Sequence, residues 1–526
     1  MYDSVSSKQR IIFSKLLLVI FSGLMLTASF PPGKFSSLAW IALLPLLSSL
    51  KDQSPLQAFR LGLFAGFAHY LTLIYWIVIV LRYYGDLNLF FSLGPYLLLC
   101  CYLSLFPALF ACLIVLLKKS SFRILWMGSF WVSLEYLRNM LLSGFPWCLL
   151  GYTQYQHLTI IQCADICGVY GVSFLIVLAN GLFYTIFFPP HESKKNFFFY
   201  ECPIIILLFV TSLGYGYFYL KTFNNKKGSS QLVKTSIIQG NIDQSLKWNK
   251  KHQTKTMEIY QSLTRTAYAF KPQLIVWPET ATPFFFQNDT EFAPSLHYMA
   301  NKYRASLFFG SPAYEFINGQ LYYYNRSYLI EPDNELSKYY DKVHLVPFGE
   351  YVPLKKYLFF INRLVTAAGD FSPGKKNCPL KNGDLALGSL ICFEVIFPEL
   401  ARKQVLNGAN ILINITNDAW FGKSSAPFQH LSMAVFRSVE NRRPMARASN
   451  TGFSAFIGSQ GQILKKSSLF KKEILNHDLV VSKKTLSFYT RFGDLFAIAL
   501  LFLSAIKLTG GYLGYSSLFT LGTGRK

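Results

Sequence analysis

Eight apolar stretches, at about residues 11–29, 37–50, 57–81, 88–117, 124–142, 158–188, 202–220 and 488–508, constrain most of what this 526-residue chain can become. A helix needs roughly 20 apolar residues to cross a bilayer, and a bilayer admits only backbones that satisfy their own hydrogen bonds. The second stretch is short and is expected to be tilted or partly re-entrant. Between the seventh and eighth lies a long polar stretch. The expected organisation is a membrane domain of about seven helices at 1–221, a polar domain at 222–486, and a closing helix with a short tail at 487–526. Composition agrees: 52% of residues are hydrophobic and only 15% charged, where soluble domains carry roughly 25%.

The first stretch, IIFSKLLLVIFSGLMLTAS, has the length of a secretory signal. FPPGKF follows it and a second apolar stretch begins at once, which predicts a membrane hairpin instead of a cleaved leader. Short-loop cations set the orientation. Lys8 and Arg10, Lys51 and Arg60, Lys118, Lys119 and Arg123, Lys194 and Lys195, and finally Arg525 and Lys526 fall on one side when the spans alternate. The opposite loops, including YYGDLNLF and SGFPWCLLGYTQYQH, are almost free of Lys and Arg. The polar domain is therefore expected outside the cytoplasm. The net charge of +24 belongs to cytoplasmic loops and anionic lipid, not to nucleic acid, for which no motif is present.

The 222–486 stretch alternates strand-like and helix-like runs. KTSIIQGN (234–241), PQLIVWPET (272–280), ASLFFGSPA (305–313), LALGSLICFE (385–394) and NILINITND (410–418) read as buried strands, with helices expected at 251–269 and 428–443. That pattern predicts an α/β domain. In such domains ligand chemistry collects at the carboxyl ends of strands. Glu279 ends LIVWPE, Cys392 ends LGSLIC, and a loop-like segment between them carries Lys342, His344 and Glu350. Singly, each has a plain structural explanation: a helix cap, a solvated lysine, a packed thiol, since free cysteine is among the most buried residue types. Together they supply what covalent acyl transfer needs, namely a base, a nucleophile and a cation for the oxyanion.

Seven of the nine cysteines lie in or beside apolar stretches, and the Cys163/Cys167 pair at helical spacing has no set of His, Asp and Glu around it that would complete a metal site. H-E-x-x-H and C-x-x-C are absent, and the glycines of TLGTGRK follow no strand. No disulfide framework, metal or cofactor is expected. Glu135 and Arg138, within an apolar stretch, point either to an internal ion pair or to lipid headgroup contact. TPFFFQ (282–287) and PLKKYLFFINRLV (353–365) are rich in aromatic and aliphatic residues and are expected either to lie at a membrane interface or to pack their apolar faces on the domain.

WPET (277–280), KVHLVPFGEYVP (342–353) and ICFE (391–394) resemble the three catalytic motifs of the nitrilase (carbon–nitrogen hydrolase) superfamily. With GVYGVSFL (168–175), SGFPW (143–147), NDAWFG (417–422) and RSVENRRPMARASNTG (437–452), nearly the whole chain resembles the apolipoprotein N-acyltransferase family of the bacterial inner membrane. The resemblance implies a multi-span α-helical membrane domain plus an α/β nitrilase-type αββα sandwich facing the periplasm. It implies Glu279 as general base, Cys392 as nucleophile and Lys342 as stabiliser of the tetrahedral intermediate. Glu350 matches a supporting acid, Glu394 the glutamate of a C-x-E pattern, and Trp420 a lid-loop aromatic. Phe393 stands where some members have Tyr, and its backbone N–H still serves the oxyanion hole. The implied partners are a phospholipid acyl donor and a diacylglyceryl apolipoprotein acceptor, served by a monomer without cofactor. A membrane-tethered amidase using the same three groups, and a catalytically dead scaffold, are the alternatives.

Overall fold

The computed structural model describes residues 2–520 other than 84, 86, 118–119, 189–196, 226–229, 245–246, 248–249, 335, 353–370 and 483–484. The expected interfacial segment 353–365 lies outside the described residues. Apolar helices run over Tyr2–Ala28, Pro55–Leu73, Trp76–Tyr83, Leu89–Leu116, Arg123–Met140, Ala164–Phe187, Cys202–Asn225 and Leu495–Thr520. Among the described residues, three helices (Leu89–Leu116, Ala164–Phe187 and Phe197–Thr222) are long and apolar enough to cross a membrane. A fourth is added if Pro55–Leu73 and Trp76–Tyr83, bent by 52°, form one broken span. The short second stretch is not a single helix: a 3-10 turn, Ser36–Trp40, precedes the short helix Leu44–Ser49.

Small residues let these helices touch. A Cβ on Gly62 would stand 2.5 Å from the Pro107 carbonyl oxygen of the facing helix, so only glycine permits that approach. Glu135 and Arg138 are both buried. Glu135 Oε1 accepts the Leu150 N–H at 2.7 Å, and Arg138 donates to the Tyr70 hydroxyl and the Trp147 carbonyl. Both line a cavity of about 30 Å³, which holds roughly one water. They serve the bundle interior, not lipid headgroups.

The polar part is a sandwich of two six-stranded sheets. The first uses β1 (Ser230–Gln239), β2 (Leu274–Val276), β3 (Ser306–Ile317), β4 (Gln320–Ile330), β5 (Lys338–Asp341) and β12 (Glu473–Ser482), in the order β12-β1-β2-β3-β4-β5. The second uses β6 (Leu380–Asn382), β7 (Leu385–Ile391), β8 (Ile411–Thr416), β9 (Met445–Ser449), β10 (Ala455–Ile457) and β11 (Ile463–Lys466), in the order β11-β10-β9-β8-β7-β6. In each sheet three strands run parallel, β1-β2-β3 and β7-β8-β9, and the flanking pairings are antiparallel.

Period-two alternation assigns each side chain to a layer. Leu274 and Val276 meet Ile411, Ile413 and Ile415 between the sheets. Ile275 and Trp277 instead face the helices Lys250–Ala267 and Ala293–Tyr303 outside the first sheet. Leu412 faces the helices Pro398–Leu406 and Ala426–Asn441, whose far side packs on the membrane-type helices in one continuous apolar cluster. The expected helix–sheet–sheet–helix sandwich is thus present, with one helix layer seated on the bundle. All five strands expected from the sequence form, as do both helices. TPFFFQ packs largely inward: Phe286 is buried in the outer core with Phe284 against it, and Phe285 is 37% exposed.

Candidate active site

Glu279 lies just past β2, Lys342 just past β5 and Cys392 just past β7, so two facing sheets bring their strand ends to one place. Gly310 on β3 makes room: a Cβ there would come 2.5 Å from the Thr280 nitrogen and 2.8 Å from Glu279 Cα. Cys392 opens a 3-10 turn with φ of 52°, a left-handed value that strains a residue carrying a side chain. Such strain at a sharp strand-to-helix turn is how nucleophile elbows present a side chain.

Lys342, 1% exposed, donates to Glu350 Oε1 at 2.8 Å. Burial opposes its charge, but Glu350, Glu279 and Cys392 outweigh it and hold the ammonium above the ordinary lysine range. Glu350 is engaged at both oxygens: Oε1 also accepts from Asn325 Nδ2 at 2.9 Å, and Oε2 takes the Val346 N–H at 2.8 Å. Glu279 is not. Its Oε1 accepts from the same Asn325 Nδ2 at 2.8 Å, while its buried Oε2 has no partner among the described residues. Burial, with Glu350 adding to it, raises the Glu279 pKa above the usual carboxylate range despite Lys342. Burial and then Glu279 push the Cys392 thiol well up, against the pull of Lys342. Two carboxylates a few side chains apart therefore differ in kind: Glu350 is a fixed counter-ion, and Glu279 has a free oxygen and a raised pKa suited to carrying a proton.

Glu394 sits beside these groups and does something else. Its Oε1 accepts from Tyr340 Oη (2.9 Å), the Val343 N–H (2.7 Å) and the His344 N–H (3.2 Å), and Oε2 from the Ile391 N–H (2.7 Å). Burial raises it to about 7. Its contacts stitch the lysine loop to the cysteine turn. Phe393 packs near His344 and Phe397, with ring centroids 6.1 and 5.1 Å away. Trp420 lies on the 3-10 turn Asp418–Phe421 and is partly buried.

Several groups at the site are given no role by the motifs. Asn325 was hidden in an aromatic strand, YYYNRSYLI, where it opens the short polar run Asn325-Arg326-Ser327 and nothing in the sequence sets it apart from its neighbours. Lys247 is buried and donates to the Glu279 carbonyl at 3.2 Å; burial lowers its pKa to about 8. Behind the cysteine, His430 Nε2 lies 3.3 Å from the Cys392 carbonyl and Nδ1 lies 3.0 Å from Asp418 Oδ1. Arg447 bonds Asp418 Oδ2 at 2.8 Å. Burial opposes the Asp418 charge, yet Arg447 and His430 outweigh it and hold the carboxyl at about 2.

The helical part reaches this shell. Gln429 Oε1 accepts both the Trp147 indole N–H (2.7 Å) and the Trp76 indole N–H (3.2 Å). Its Nε2 donates to the Leu73 carbonyl at 3.1 Å, where the bent helix breaks. Phe421 packs edge-on against both indoles. One residue further, His430 touches the backbone of the cysteine turn, so the turn that carries the thiol is tied to the helix layer seated on the apolar bundle.

A carboxylate, an ammonium and a thiol at the strand ends of an αββα sandwich are the marks of the carbon–nitrogen hydrolase class, and residues 234–484 match the family model described as carbon-nitrogen hydrolase. Residues 22–182 match the model of the apolipoprotein N-acyltransferase N-terminal domain. An apolipoprotein N-acyltransferase of Geobacter metallireducens is 44% identical over 92% of this chain and 92% of its own length. Those of Wigglesworthia glossinidia brevipalpis (32%; 94% and 96%) and Methylococcus capsulatus (31%; 88% and 89%) also align over most of both chains. The chain belongs to the apolipoprotein N-acyltransferase family.

Proposed function

We propose that this protein transfers an acyl chain from a phospholipid, through a thioester on Cys392, to the α-amine of a diacylglyceryl-cysteine apolipoprotein. The observation that carries the reading is the unequal pair of carboxylates around Lys342, set beside a strained, buried thiol whose turn packs on the layer shared with the apolar helices. Glu279 takes the thiol proton, because a free cysteine with pKa near 8.5 or above holds little thiolate at neutral pH. The thiolate attacks the ester carbonyl, and Lys342 with the Phe393 N–H stabilises the oxyanion. The lysophospholipid leaves with the proton from Glu279. The amine then attacks the thioester, Glu279 accepts its proton, and the thiol is restored.

Seating the site on the membrane spares both substrates extraction, which costs about 0.8 kcal/mol per exposed CH₂. The same placement keeps water from the thioester. The protein works as a monomer in the bacterial inner membrane, with about seven spans before the sandwich and one after it, and the sandwich in the periplasm.

Intact mass of the detergent-purified protein after incubation with phospholipid alone tests this. The expected result is a hydroxylamine-labile acyl adduct on Cys392, absent from Cys392→Ala. No adduct, with ammonia released from simple amides, would replace this reading with that of an amidase.

A further inference from the structure

Asn325 is spent unevenly. Both contacts of its amide nitrogen go to carboxylates, Glu279 at 2.8 Å and Glu350 at 2.9 Å. Those two acceptors fix the amide orientation, because the flipped rotamer would set its oxygen against two carboxylate oxygens. The backbone carbonyl of Asn325 takes the Lys342 N–H at 2.9 Å, so the residue cannot swing away without moving the lysine. What remains is Oδ1, and among the described residues it is buried with no hydrogen-bond partner. Glu279 Oε2, on the carboxylate that Asn325 holds, is likewise buried and without a partner among the described residues. Buried acceptors without donors are uncommon and call for a reason. Two of them, on bonded residues at one site, ask for a ligand bearing two donors. A neutral primary amine attacking a carbonyl has two N–H bonds and keeps its lone pair for the new C–N bond.

We propose that Asn325 Oδ1 and Glu279 Oε2 form the acceptor pair that receives the two N–H groups of the incoming amine, so that Asn325 is a substrate-binding catalytic residue of the transfer step. The assignment rests on the acyltransferase reading above. In that step the amine nitrogen bonds to the thioester carbon, the C–S bond breaks, and one N–H proton passes to Glu279 Oε2 and then to the cysteine sulfur. The second N–H stays on the product amide, held by Asn325 Oδ1 throughout. The pair also aims the lone pair, since both hydrogens are tied back toward the protein.

The test uses the full-length protein in detergent micelles, acylated with phospholipid. It is then mixed with a synthetic S-diacylglyceryl-cysteinyl-serine amide or with the same compound N-methylated on its α-amine. The methylated amine keeps one N–H for Glu279 and has none for Asn325. The parent protein should prefer the primary amine by a factor of about ten to a hundred, the worth of one buried hydrogen bond. Asn325→Ser and Asn325→Leu should bring that ratio close to one. Asn325→Asp, which keeps an oxygen and loses the amide donors, should slow both thioester formation and transfer while retaining the preference. A ratio unchanged in Asn325→Ser, or lost equally in Asn325→Asp, would overturn the assignment alone. No adduct on the parent protein would overturn the acyltransferase reading and this assignment with it.

Discussion

Each sheet of the sandwich is a trio of parallel strands with antiparallel flanks, yet the first delivers Glu279, Asn325 and Lys342 to the site and the second delivers Cys392. The outer layers differ as well: helices Lys250–Ala267 and Ala293–Tyr303 cover the first sheet with a core of their own, whereas those covering the second share a core with the membrane-type helices. Charge thus comes from the sheet remote from the bundle, and the thiol from the sheet resting on it. The thiol is joined to its charges across the gap between sheets, and Glu394 is the tie, with three of its four hydrogen bonds reaching the lysine side. This division lets nucleophile, charge and tie be broken separately.

Removing the nucleophile has the largest effect. Cys392→Ala should abolish the adduct and lower turnover by orders of magnitude, while thermal unfolding shifts little because the change leaves a small void. Breaking the charged side comes next. Glu279→Gln should slow thioester formation by roughly 10²–10⁴-fold, the usual worth of a general base. The pH profile sharpens this. Glu279 acts as a base only when ionised, and its pKa is raised, so thioester formation should fall as pH drops, with a midpoint above about 4.3. A midpoint at or below that value would remove Glu279 as the base. Cutting the tie is milder: a Gln at 394 sets an amide N–H against one of four donors, which should destabilise the fold by about 1–3 kcal/mol, read from denaturation midpoints.

The same division explains what the sequence could tell. Glu279, Lys342 and Cys392 were legible because each closes a strand whose apolar run is visible in one dimension. The helix–strand alternation carried the fold for the same reason. Asn325 was not legible, since its role depends on β4 pairing beside β3 and β5 and on carboxylates 46 and 25 positions away. The role of Gln429 was not legible either, since the indoles that meet it stand 353 and 282 positions earlier. Hydropathy found the apolar stretches and missed the break after Leu73, where the helix bends by 52°. That break has no proline or glycine to announce it, and its Leu73 carbonyl is bonded by a side chain from the sandwich.

The smallest expected effect concerns the outer layer of the first sheet. TPFFFQ has the composition of a segment that dips into lipid, but its three phenylalanines divide: Phe286 is 4% exposed, Phe284 packs against the same core, and Phe285 is 37% exposed. Phe285 still leans on Tyr314, with ring centroids 5.0 Å apart. A half-exposed ring on a layer remote from the helical bundle should matter little, so Phe285→Ser should change stability by less than about 1 kcal/mol. Phe286→Ala should cost about 3 kcal/mol or more, because it opens a cavity in the outer core. Thioester formation separates packing from lipid contact. If the segment only packs, Phe285→Ser reacts like the parent protein with phospholipid in vesicles and in detergent micelles alike. A loss confined to vesicles would show that this layer also touches the bilayer, and the contrast between the two outer layers would have to be redrawn.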